Sequence, residues 1–309
     1  MFATIIIPAY NRARALREKS LPSALSQTEK DFEVVVVDDG SSDDTKNAVS
    51  DFEARQNNIR YFHQDNAGVS AARNHGVNKA RGEIIVFLDS DDELRPEYLS
   101  EAKKVFSEQP AVEIIIPGFI LRDEFGQESY FKSEARPKWM IGLGGGIALK
   151  KSVFTQRKIF YDELLENSED SDFGFRAAAV CNIIFLNKPL YVYNFHSDIY
   201  LDGSRNLSTD SQKLLKNFSR FKARNFEFYR SYGPPALSYL YFWEGTLTAS
   251  FDTAASRKLF WTSFILHKNI RSLVYFLMSL SGSPTVYRKL YRVLIFLIRY
   301  YKVLKNKTK

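Results

Sequence analysis

Ile84-Ile85-Val86-Phe87-Leu88-Asp89-Ser90-Asp91-Asp92 is the most informative stretch of the 309-residue sequence. Its five apolar residues, most of them branched, predict a strand that is buried on both faces. Three carboxylates follow within four positions, and ligands of open α/β sheets bind beyond such strand ends. Asp91 and Asp92 are therefore predicted to bind a hard divalent cation, Mg²⁺ or Mn²⁺. An acidic turn that caps the next helix is the alternative.

The first part of the chain alternates between strand and helix patterns. Strands are predicted at residues 2–7, 32–37, 59–63 and 83–88, and helices at 12–27, 43–55, 68–79 and 97–108. Such alternation predicts a doubly wound, mostly parallel α/β sheet. The first strand is followed by Pro8-Ala9-Tyr10-Asn11, without the glycines of a dinucleotide-binding turn. Acids instead follow the second and fourth strands, which favours a nucleotide bound partly through a metal ion.

The composition indicates the compartment of the protein, and its charge differs between the two parts of the chain. One cysteine, Cys181, excludes an internal disulfide and fits a reducing compartment. The first residues lack the pattern of a signal peptide, and no apolar run reaches the ~18 residues of a membrane span, so we expect a cytoplasmic protein. From Arg257 to Lys309 there are 12 Lys or Arg and no Asp or Glu, whereas the preceding residues carry 31 basic and 36 acidic side chains. This asymmetry concerns binding partners and not the fold.

Four motifs of the first 92 residues carry a family resemblance. They are Pro8-Ala9-Tyr10-Asn11, Val37-Asp38-Asp39-Gly40-Ser41-Ser42-Asp43, Asn66-Ala67-Gly68-Val69-Ser70-Ala71-Ala72-Arg73-Asn74 and Leu88-Asp89-Ser90-Asp91-Asp92. In order and spacing, these motifs resemble the family 2 glycosyltransferases. The resemblance implies a GT-A fold, in which one nucleotide-binding α/β domain uses a nucleotide-sugar and inverts the anomeric centre.

The resemblance implies a nucleobase site at the first two motifs. Tyr10 would lie against the base, Pro8 and Ala9 would give backbone contacts, and Asp39 would accept a hydrogen bond from the imide N–H of uracil. Asp38 would orient the loop. On their own, Tyr10 could be a half-buried aromatic residue, and the two aspartates could be ordinary turn residues.

The other two motifs imply a diphosphate and metal site. Arg73 would lie near the diphosphate, Asp91 would contact the ribose or a metal-bound water, and Asp92 would ligate the metal. In several relatives a Tyr-x-Tyr-x-x-His pattern, here Tyr191, Tyr193 and His196, adds a histidine that could complete the metal shell or touch the diphosphate. A surface ion pair for Arg73 and an exposed loop position for His196 are the alternatives.

Two later motifs concern the reaction itself. Gly142-Leu143-Gly144-Gly145-Gly146 fits either close backbone approach to a ligand or a flexible linker. Glu169-Asp170-Ser171-Asp172-Phe173 opens a predicted helix, where acids are favoured by the helix dipole alone. In the family this pattern carries the catalytic base, here Asp170, which would take the proton from the attacking hydroxyl.

The tail after about Asp210 reads as helical. In the last segment one face carries Leu290, Val293, Leu294, Leu297, Tyr301 and Leu304, and the other carries Arg288, Arg292, Arg299 and Lys302. This pattern predicts a helix that lies on an anionic membrane surface. Core packing or dimerisation is the alternative, and no nucleic-acid motif accompanies the charge.

Taken together, the sequence predicts a catalytic domain at 1–207 and a basic helical extension at 208–309. We expect a metal-dependent, inverting glycosyltransferase that uses a nucleotide-sugar, with uracil as the implied base. The basic extension would hold it at the inner face of the cell membrane. The predicted acceptor is therefore a lipid-linked saccharide of cell-surface glycan assembly, since substrate and enzyme would then meet at that surface. A non-catalytic nucleotide-sugar-binding or membrane-scaffold protein with the same fold is the alternative.

Overall fold

The computed structural model describes residues 1–133, 141–165, 168–194, 211–249, 252–283, 285–287 and 289–290. These residues form two compact units, one within Met1–Arg205 and one within Asn206–Lys309. The first unit is an α/β structure, and the second is helical.

The strands of the first unit are β1 (Ala3–Ala9), β2 (Phe32–Asp39), β3 (Ile59–Gln64), β4 (Ile84–Phe87), β5 (Glu93–Leu94), β6 (Ile114–Arg122), β7 (Glu128–Phe131), β8 (Ala148–Lys150) and β9 (Ile183–Asn194). Its helices are α1 (Ala13–Ala15), α2 (Leu21–Leu25), α3 (Thr45–Glu53), α4 (Val69–Lys79), α5 (Tyr98–Glu108), α6 (Ser152–Thr155) and α7 (Glu169–Val180). A π-helical turn, Leu16–Ser20, joins α1 to α2, where Pro22 occupies a first-turn position that needs no backbone N–H donor.

One mixed sheet runs through the first unit in the order β3-β2-β1-β4-β8-β6-β9-β5, with β7 paired to β6. The four strands β1 to β4 are parallel to one another, as the alternating pattern predicts. Beyond them β8 is antiparallel to both β4 and β6, and β6 is parallel to β9. The carboxyl ends of β1, β2 and β4 therefore lie along the same edge of the sheet.

The central strands are buried on both faces because their apolar side chains alternate between two cores. In β1, Ile5 and Ile7 belong to one core and Ile6 to the other. In β2, Val34 and Val36 face the first core, and Val35 and Val37 face the second. This double burial holds the strand ends, and the acids beyond them, in a fixed position.

The sequence pattern also predicts strands at 182–186 and 191–195 and a helical stretch at 254–281, and both differ from the observed elements. The described residues of the two predicted strands belong to one strand, β9, whose pairing with β6 shifts register around Gly118 and Pro189. Proline lacks an N–H donor, so it is tolerated in a strand at such an irregularity. The predicted helix at 254–281 is two helices, because Lys268 adopts φ 53° and the side chain of Asn269 caps the second helix at Ser272.

The helical unit consists of α8 (Ser211–Ser231), α9 (Pro234–Thr248), α10 (Thr253–His267) and α11 (Ile270–Ser279). Its small core contains Phe260, Tyr275 and Tyr287. Among the residues described, no helix combines the length and the apolar character that crossing a bilayer requires. The predicted amphipathic segment lies mostly outside the described residues.

Candidate active site

The residues predicted for the nucleobase lie together at the carboxyl ends of β1 and β2. Ala9 is paired with Asp38 across the two parallel strands, and Tyr10, which comes directly after Ala9, is exposed. Asn11 adopts φ 53°, a conformation that Asn tolerates better than most residues, and its Oδ1 accepts a hydrogen bond of 2.8 Å from Ser42 N. The turn after β1 is thereby joined to the loop after β2.

Asp38 and Asp39 are both buried but have different surroundings. Asp38 accepts hydrogen bonds from the Tyr61 hydroxyl at 2.5 Å and from Ser41 N at 2.9 Å, so it holds its own loop. Asp39 Oδ1 accepts from Gln64 Nε2 at 2.7 Å and from Ala67 N at 2.9 Å. Asp39 Oδ2 accepts only from Gly68 N, at 2.8 Å, among the described groups. A lone pair of Oδ2 therefore remains for a donor such as an imide N–H.

Arg73, predicted near a diphosphate, is a buried link between two carboxylates that are distant in sequence. Its guanidinium donates to Asp89 Oδ1 at 2.9 Å and to Glu169 Oε1 at 3.3 Å, and lies 5.1 Å from the centre of the Tyr161 ring. Burial alone would lower the pKa of Arg73, but Asp89, Tyr161 and Glu169 raise it, so the guanidinium stays charged. Its Nε has no hydrogen-bond partner among the described residues.

The acids after β4 differ strongly in exposure. Asp92 is 1% exposed and accepts hydrogen bonds from the Tyr191 hydroxyl and, at 2.8 Å, from Asn194 N. Burial, together with the charges of Asp89 and Asp91, raises the pKa of Asp92 well above the usual range. Asp89 and Asp91 are only half-buried. The strand end thus concentrates negative charge, with Asp89 and Asp91 the more accessible carboxylates.

The glycine-rich loop packs against these same carboxylates. A methyl group added at Gly142 would lie 3.0 Å from Asp170 Oδ2, and one added at Gly145 would lie 2.6 Å from Asp89 Oδ2 and against the Tyr191 hydroxyl. Gly146 has φ 79° and faces the Tyr191 ring. At Gly142 and Gly145 a side chain would overlap with the protein's own acids, so these glycines are required for packing. Close approach of the loop to a ligand stays a prediction.

Asp170, the predicted base, lies in the first turn of α7. Its Oδ1 accepts a hydrogen bond of 2.7 Å from Ser171 N, and its backbone carbonyl accepts one of 2.9 Å from Leu143 N in the glycine-rich loop. Oδ2 accepts no hydrogen bond from the described residues and faces Gly142. Ser168 is the N-cap residue, but its side chain makes no capping hydrogen bond.

The acids on either side of Asp170 have other partners. Glu169 pairs with Arg73, and burial raises the pKa of Glu169. Asp172 is fully buried and accepts a hydrogen bond of 2.8 Å from Arg176 Nε. Glu169 therefore joins α7 to Arg73, and Asp172 pairs within α7 with Arg176, which in turn donates to the Phe160 carbonyl at 2.7 Å. Asp170 remains as the acid of this motif that faces the loop.

The structure brings Arg73, Asp89 and Asp170 to the glycine-rich loop. Asp92 is joined to this group through the Tyr191 hydroxyl, which lies against Gly145, and Asp91 precedes Asp92 in the chain. His196 lies outside the described residues. The sequence assigned no role to Asp89 or Tyr191 and did not identify Arg73 as the partner of Glu169. In the structure Asp89 and Glu169 accept hydrogen bonds from Arg73, and Tyr191 donates one to Asp92. Asp89 stands in the quoted acidic motif and Tyr191 in the Tyr-x-Tyr motif, but the pairing of Glu169 with Arg73 had no signal in the sequence.

The donor set after β4 fits a divalent cation that also binds substrate. Within the described ranges, no three His, Cys, Asp or Glu side chains form a metal-binding cluster. Mg²⁺, however, is commonly held by one or two carboxylates together with substrate phosphates, so a complete protein cage is not needed. Asp91 and Asp92 supply two such carboxylates, and each Asp92 oxygen accepts one hydrogen bond, which leaves a lone pair on each.

Comparison with known sequences gives the family. The profile of glycosyl transferase family 2 matches residues 4–159, about half of the chain, and this range includes all four N-terminal motifs. The chain belongs to glycosyl transferase family 2. The family resemblance predicted from the motifs is thereby confirmed.

Two relatives show how much of each chain the sequence similarity covers. Glycosyltransferase GlyA from Streptococcus pneumoniae is 30% identical over 213 residues, which make up 62% of this chain and 30% of GlyA. The GalNAc(5)-diNAcBac-PP-undecaprenol beta-1,3-glucosyltransferase from Campylobacter jejuni is 41% identical over 200 residues, or 62% of each chain. The match thus spans less than two thirds of the length of either relative.

Solved structures of other transferases share the fold of this family 2 chain. Staphylococcus aureus TarS 1-349 in complex with UDP-GlcNAc has a TM-score of 0.60 at 19% identity, covering 94% of this chain and 92% of that one. Mannosyltransferase PcManGT from Pyrobaculum calidifontis, in complex with GDP-Man and Mn²⁺, has a TM-score of 0.55 at 19% identity, covering 93% and 85%. The predicted GT-A fold is confirmed.

Proposed function

We propose that this protein is an inverting glycosyltransferase that moves a sugar from a nucleotide-sugar to a saccharide acceptor. The observation that supports the proposal is the convergence, in a family 2 chain, of Arg73, Asp89 and Asp170 on one glycine-rich loop, with Asp91 and Asp92 directly after Asp89. The catalytic domain would be 1–207 and the helical extension 208–309.

The donor nucleotide would occupy the ends of β1 and β2. Tyr10 presents an exposed ring for stacking against the base, with Pro8 and Ala9 forming the backbone beside it. Asp39 Oδ2 would accept the imide N–H of uracil, because its Oδ1 is already saturated by Gln64 and Ala67. Uracil fits this site better than cytosine, since cytosine has no N–H at that ring position.

The diphosphate would lie at the acids after β4. Asp91 and Asp92 would hold Mn²⁺ or Mg²⁺ together with diphosphate oxygens, with His196 as a further ligand. When bound, the ion would offset the negative charge that develops on the departing diphosphate. Arg73 would keep Asp89 and Glu169 in place and add positive potential near the diphosphate.

Asp170 would act as the general base. Its Oδ1 is fixed by Ser171 N, while Oδ2 faces the loop at Gly142, so one oxygen is held and the other is directed at the reaction space. A carboxylate in this position can take the proton from an acceptor hydroxyl as that oxygen attacks the anomeric carbon. One displacement from the face opposite the diphosphate would invert the configuration.

A lipid-linked saccharide is the acceptor that we propose, because the Campylobacter relative is named for an undecaprenol-linked one. The helical unit would then bind the inner face of the cell membrane. From Arg257 to Lys309 it carries 12 basic and no acidic residues, which favours anionic lipid. In the described part Trp261, Ile265 and Ile270 are exposed, and such side chains suit an interfacial surface.

The test uses purified protein, Mn²⁺ and a panel of UDP-sugars without acceptor. We expect one UDP-sugar to raise the melting temperature more than UDP does, to require the metal for that effect, and to release UDP slowly. GDP-sugars serve as the matched control for the uracil assignment. Binding without any release of UDP, even with acceptors present, would instead identify a non-catalytic nucleotide-sugar-binding protein.

A further inference from the structure

Gln64, the last residue of β3, connects the proposed base-reading carboxylate to a histidine on α4. Its Nε2 donates a hydrogen bond of 2.7 Å to Asp39 Oδ1, and its Oε1 lies 2.7 Å from His75 Nδ1. Gln64 and His75 are half-buried, and Asp39 is buried. The three side chains therefore form one line of hydrogen bonds that ends at the proposed nucleobase site.

The chemistry of the three groups fixes the direction of each hydrogen bond. A carboxylate only accepts, so Gln64 turns its NH₂ group to Asp39 and its carbonyl oxygen to His75. That carbonyl oxygen also only accepts, so His75 Nδ1 carries the hydrogen between them. Burial and the charge of Lys79 lower the pKa of His75, so the ring is neutral at pH 7 and its one N–H is at Nδ1.

The histidine distinguishes between the two orientations of the Gln64 amide. The oxygen and nitrogen of an amide have nearly the same size, so packing hardly separates one orientation from its reverse. In the reverse orientation Gln64 would turn its oxygen to Asp39 Oδ1 and its NH₂ group to the Nδ1 hydrogen of His75. Two acceptors would then face each other at Asp39, and two donors at His75. The Nδ1 hydrogen thus selects the orientation in which Gln64 donates to Asp39.

The donor from Gln64 affects what Asp39 can offer to a ligand. Asp39 Oδ1 accepts from Gln64 and from Ala67 N, and Oδ2 accepts from Gly68 N. Gln64 is the one side chain among these three donors, and hydrogen bonds to an ionised acceptor are the strong ones. Without it the carboxylate would be held from one side only, by the backbone at 67 and 68, and Oδ2 would be less firmly directed at an imide N–H.

We propose that His75 and Gln64 are positioning residues for nucleobase selection. His75 orients Gln64, and Gln64 orients Asp39 so that it accepts the imide N–H of uracil. The proposal rests on the proposed function, because it adds two residues that act through the carboxylate proposed to contact the base.

The experiment measures the Kd of UDP and of CDP, each with Mn²⁺, by isothermal titration calorimetry on the full chain. CDP is the matched probe, because cytosine presents a lone pair to Asp39 where uracil presents an N–H. We expect the wild type to prefer UDP. In Gln64→Leu this preference should fall about tenfold through weaker UDP binding, because a hydrogen bond to a charged group is lost. The Kd of CDP should not rise, whereas loss of local structure would raise both Kd values together.

Three substitutions at His75 separate the direction of the hydrogen bond from packing. His75→Asn places an N–H donor at the position of Nδ1, one bond beyond Cγ, and should keep the preference of the wild type for UDP. His75→Leu has no polar group there and should lower the preference about fivefold. His75→Asp places an acceptor there, which attracts the Gln64 NH₂ group away from Asp39, and should lower the preference about tenfold. The added charge of Asp acts on both diphosphates alike, so it cancels in the ratio of the two Kd values.

His63→Leu is the control, because His63 precedes Gln64 on β3 but is exposed, and it should leave both Kd values unchanged. The proposal is overturned if Gln64→Leu or His75→Leu keeps the preference for UDP, or if His75→Asn loses as much of it as His75→Leu. A wild type that prefers UDP would leave the proposed function standing in those cases. Equal Kd values of UDP and CDP in the wild type would instead refute the uracil assignment, and the positioning role with it.

Discussion

Substituting alanine at two neighbouring glycines of the loop should have opposite outcomes. At Gly145 the added methyl group would lie 2.6 Å from Asp89 Oδ2 and would overlap with the Tyr191 hydroxyl. At Gly144 the nearest atom is Asp170 Cβ at 3.6 Å, an ordinary contact. Neither glycine has a positive φ, so the two substitutions differ in space and not in backbone strain.

The cost at Gly145 depends on how firmly its neighbours are held. Asp89 pairs with the buried Arg73, and the Tyr191 hydroxyl donates to the buried Asp92. Movement of Asp89 would break a partly buried ion pair, and movement of Tyr191 would break a buried hydrogen bond. Overpacking of this kind costs about 1–3 kcal/mol. We therefore expect Gly145→Ala to lower the free energy of unfolding by about 2 kcal/mol and Gly144→Ala to change it by less than about 0.5 kcal/mol.

Urea unfolding followed by tryptophan fluorescence measures the stability, and UDP release from the UDP-sugar identified above measures the activity. Gly145→Ala should lose most of the activity, because displaced Asp89 and Tyr191 side chains also disturb the acids after β4. Gly144→Ala should retain donor-dependent stabilisation. Equal stability and equal activity in the two variants would refute the packing of this loop against the acids.

Four further predictions address the base, the buried arginine, the cysteine and the tail. Asp170→Asn should lower kcat by about 10²–10⁴-fold with unchanged donor binding, and near-normal transfer would exclude Asp170 as the base. Arg73→Met should lower the free energy of unfolding, measured in urea, by about 3 kcal/mol, because Asp89 and Glu169 lose their partner. The control Arg14→Met removes an exposed ion pair and should cost less than about 0.5 kcal/mol. Similar losses in the two variants would contradict the role of Arg73 as a buried link between the two carboxylates. Burial raises the pKa of the Cys181 thiol to about 11. Alkylation of this thiol at pH 8 should therefore be about a hundredfold slower in the folded protein than in the unfolded chain, and it should speed up as the pH rises towards 11. Equal alkylation rates in the folded and unfolded protein would contradict the burial of Cys181. Deleting residues 285–309 should abolish co-sedimentation with anionic vesicles, with zwitterionic vesicles as the control, and unchanged co-sedimentation would refute the membrane role of the tail.

The positions of the acids at the strand ends could be predicted from the local sequence. The apolar runs before Asp39 and Asp91 predict buried strands, and parallel strands bring the residues beyond their carboxyl ends to one edge of the sheet. That reasoning places the motifs of residues 2–92 together, because each depends on a single strand and its next turn. It also separates the acidic first part of the chain from the basic tail, since charge composition needs no structure.

The second half of the site depended on contacts between distant segments. Arg73 pairs with Glu169, 96 residues away, and Tyr191 donates to Asp92, 99 residues away. No local pattern specifies such partners, because they result from how β8 inserts antiparallel between β4 and β6 and how β9 then aligns with β6.

The sequence by itself thus determined the parallel strands β1 to β4, the acids at their ends and the charge of the tail, because each is encoded within one segment and its neighbours. The tertiary structure alone decided which acids are accessible and what holds them. The physical reason is that burial and pairing are set by side chains that meet across the sheet, and a single sequence does not state those distances.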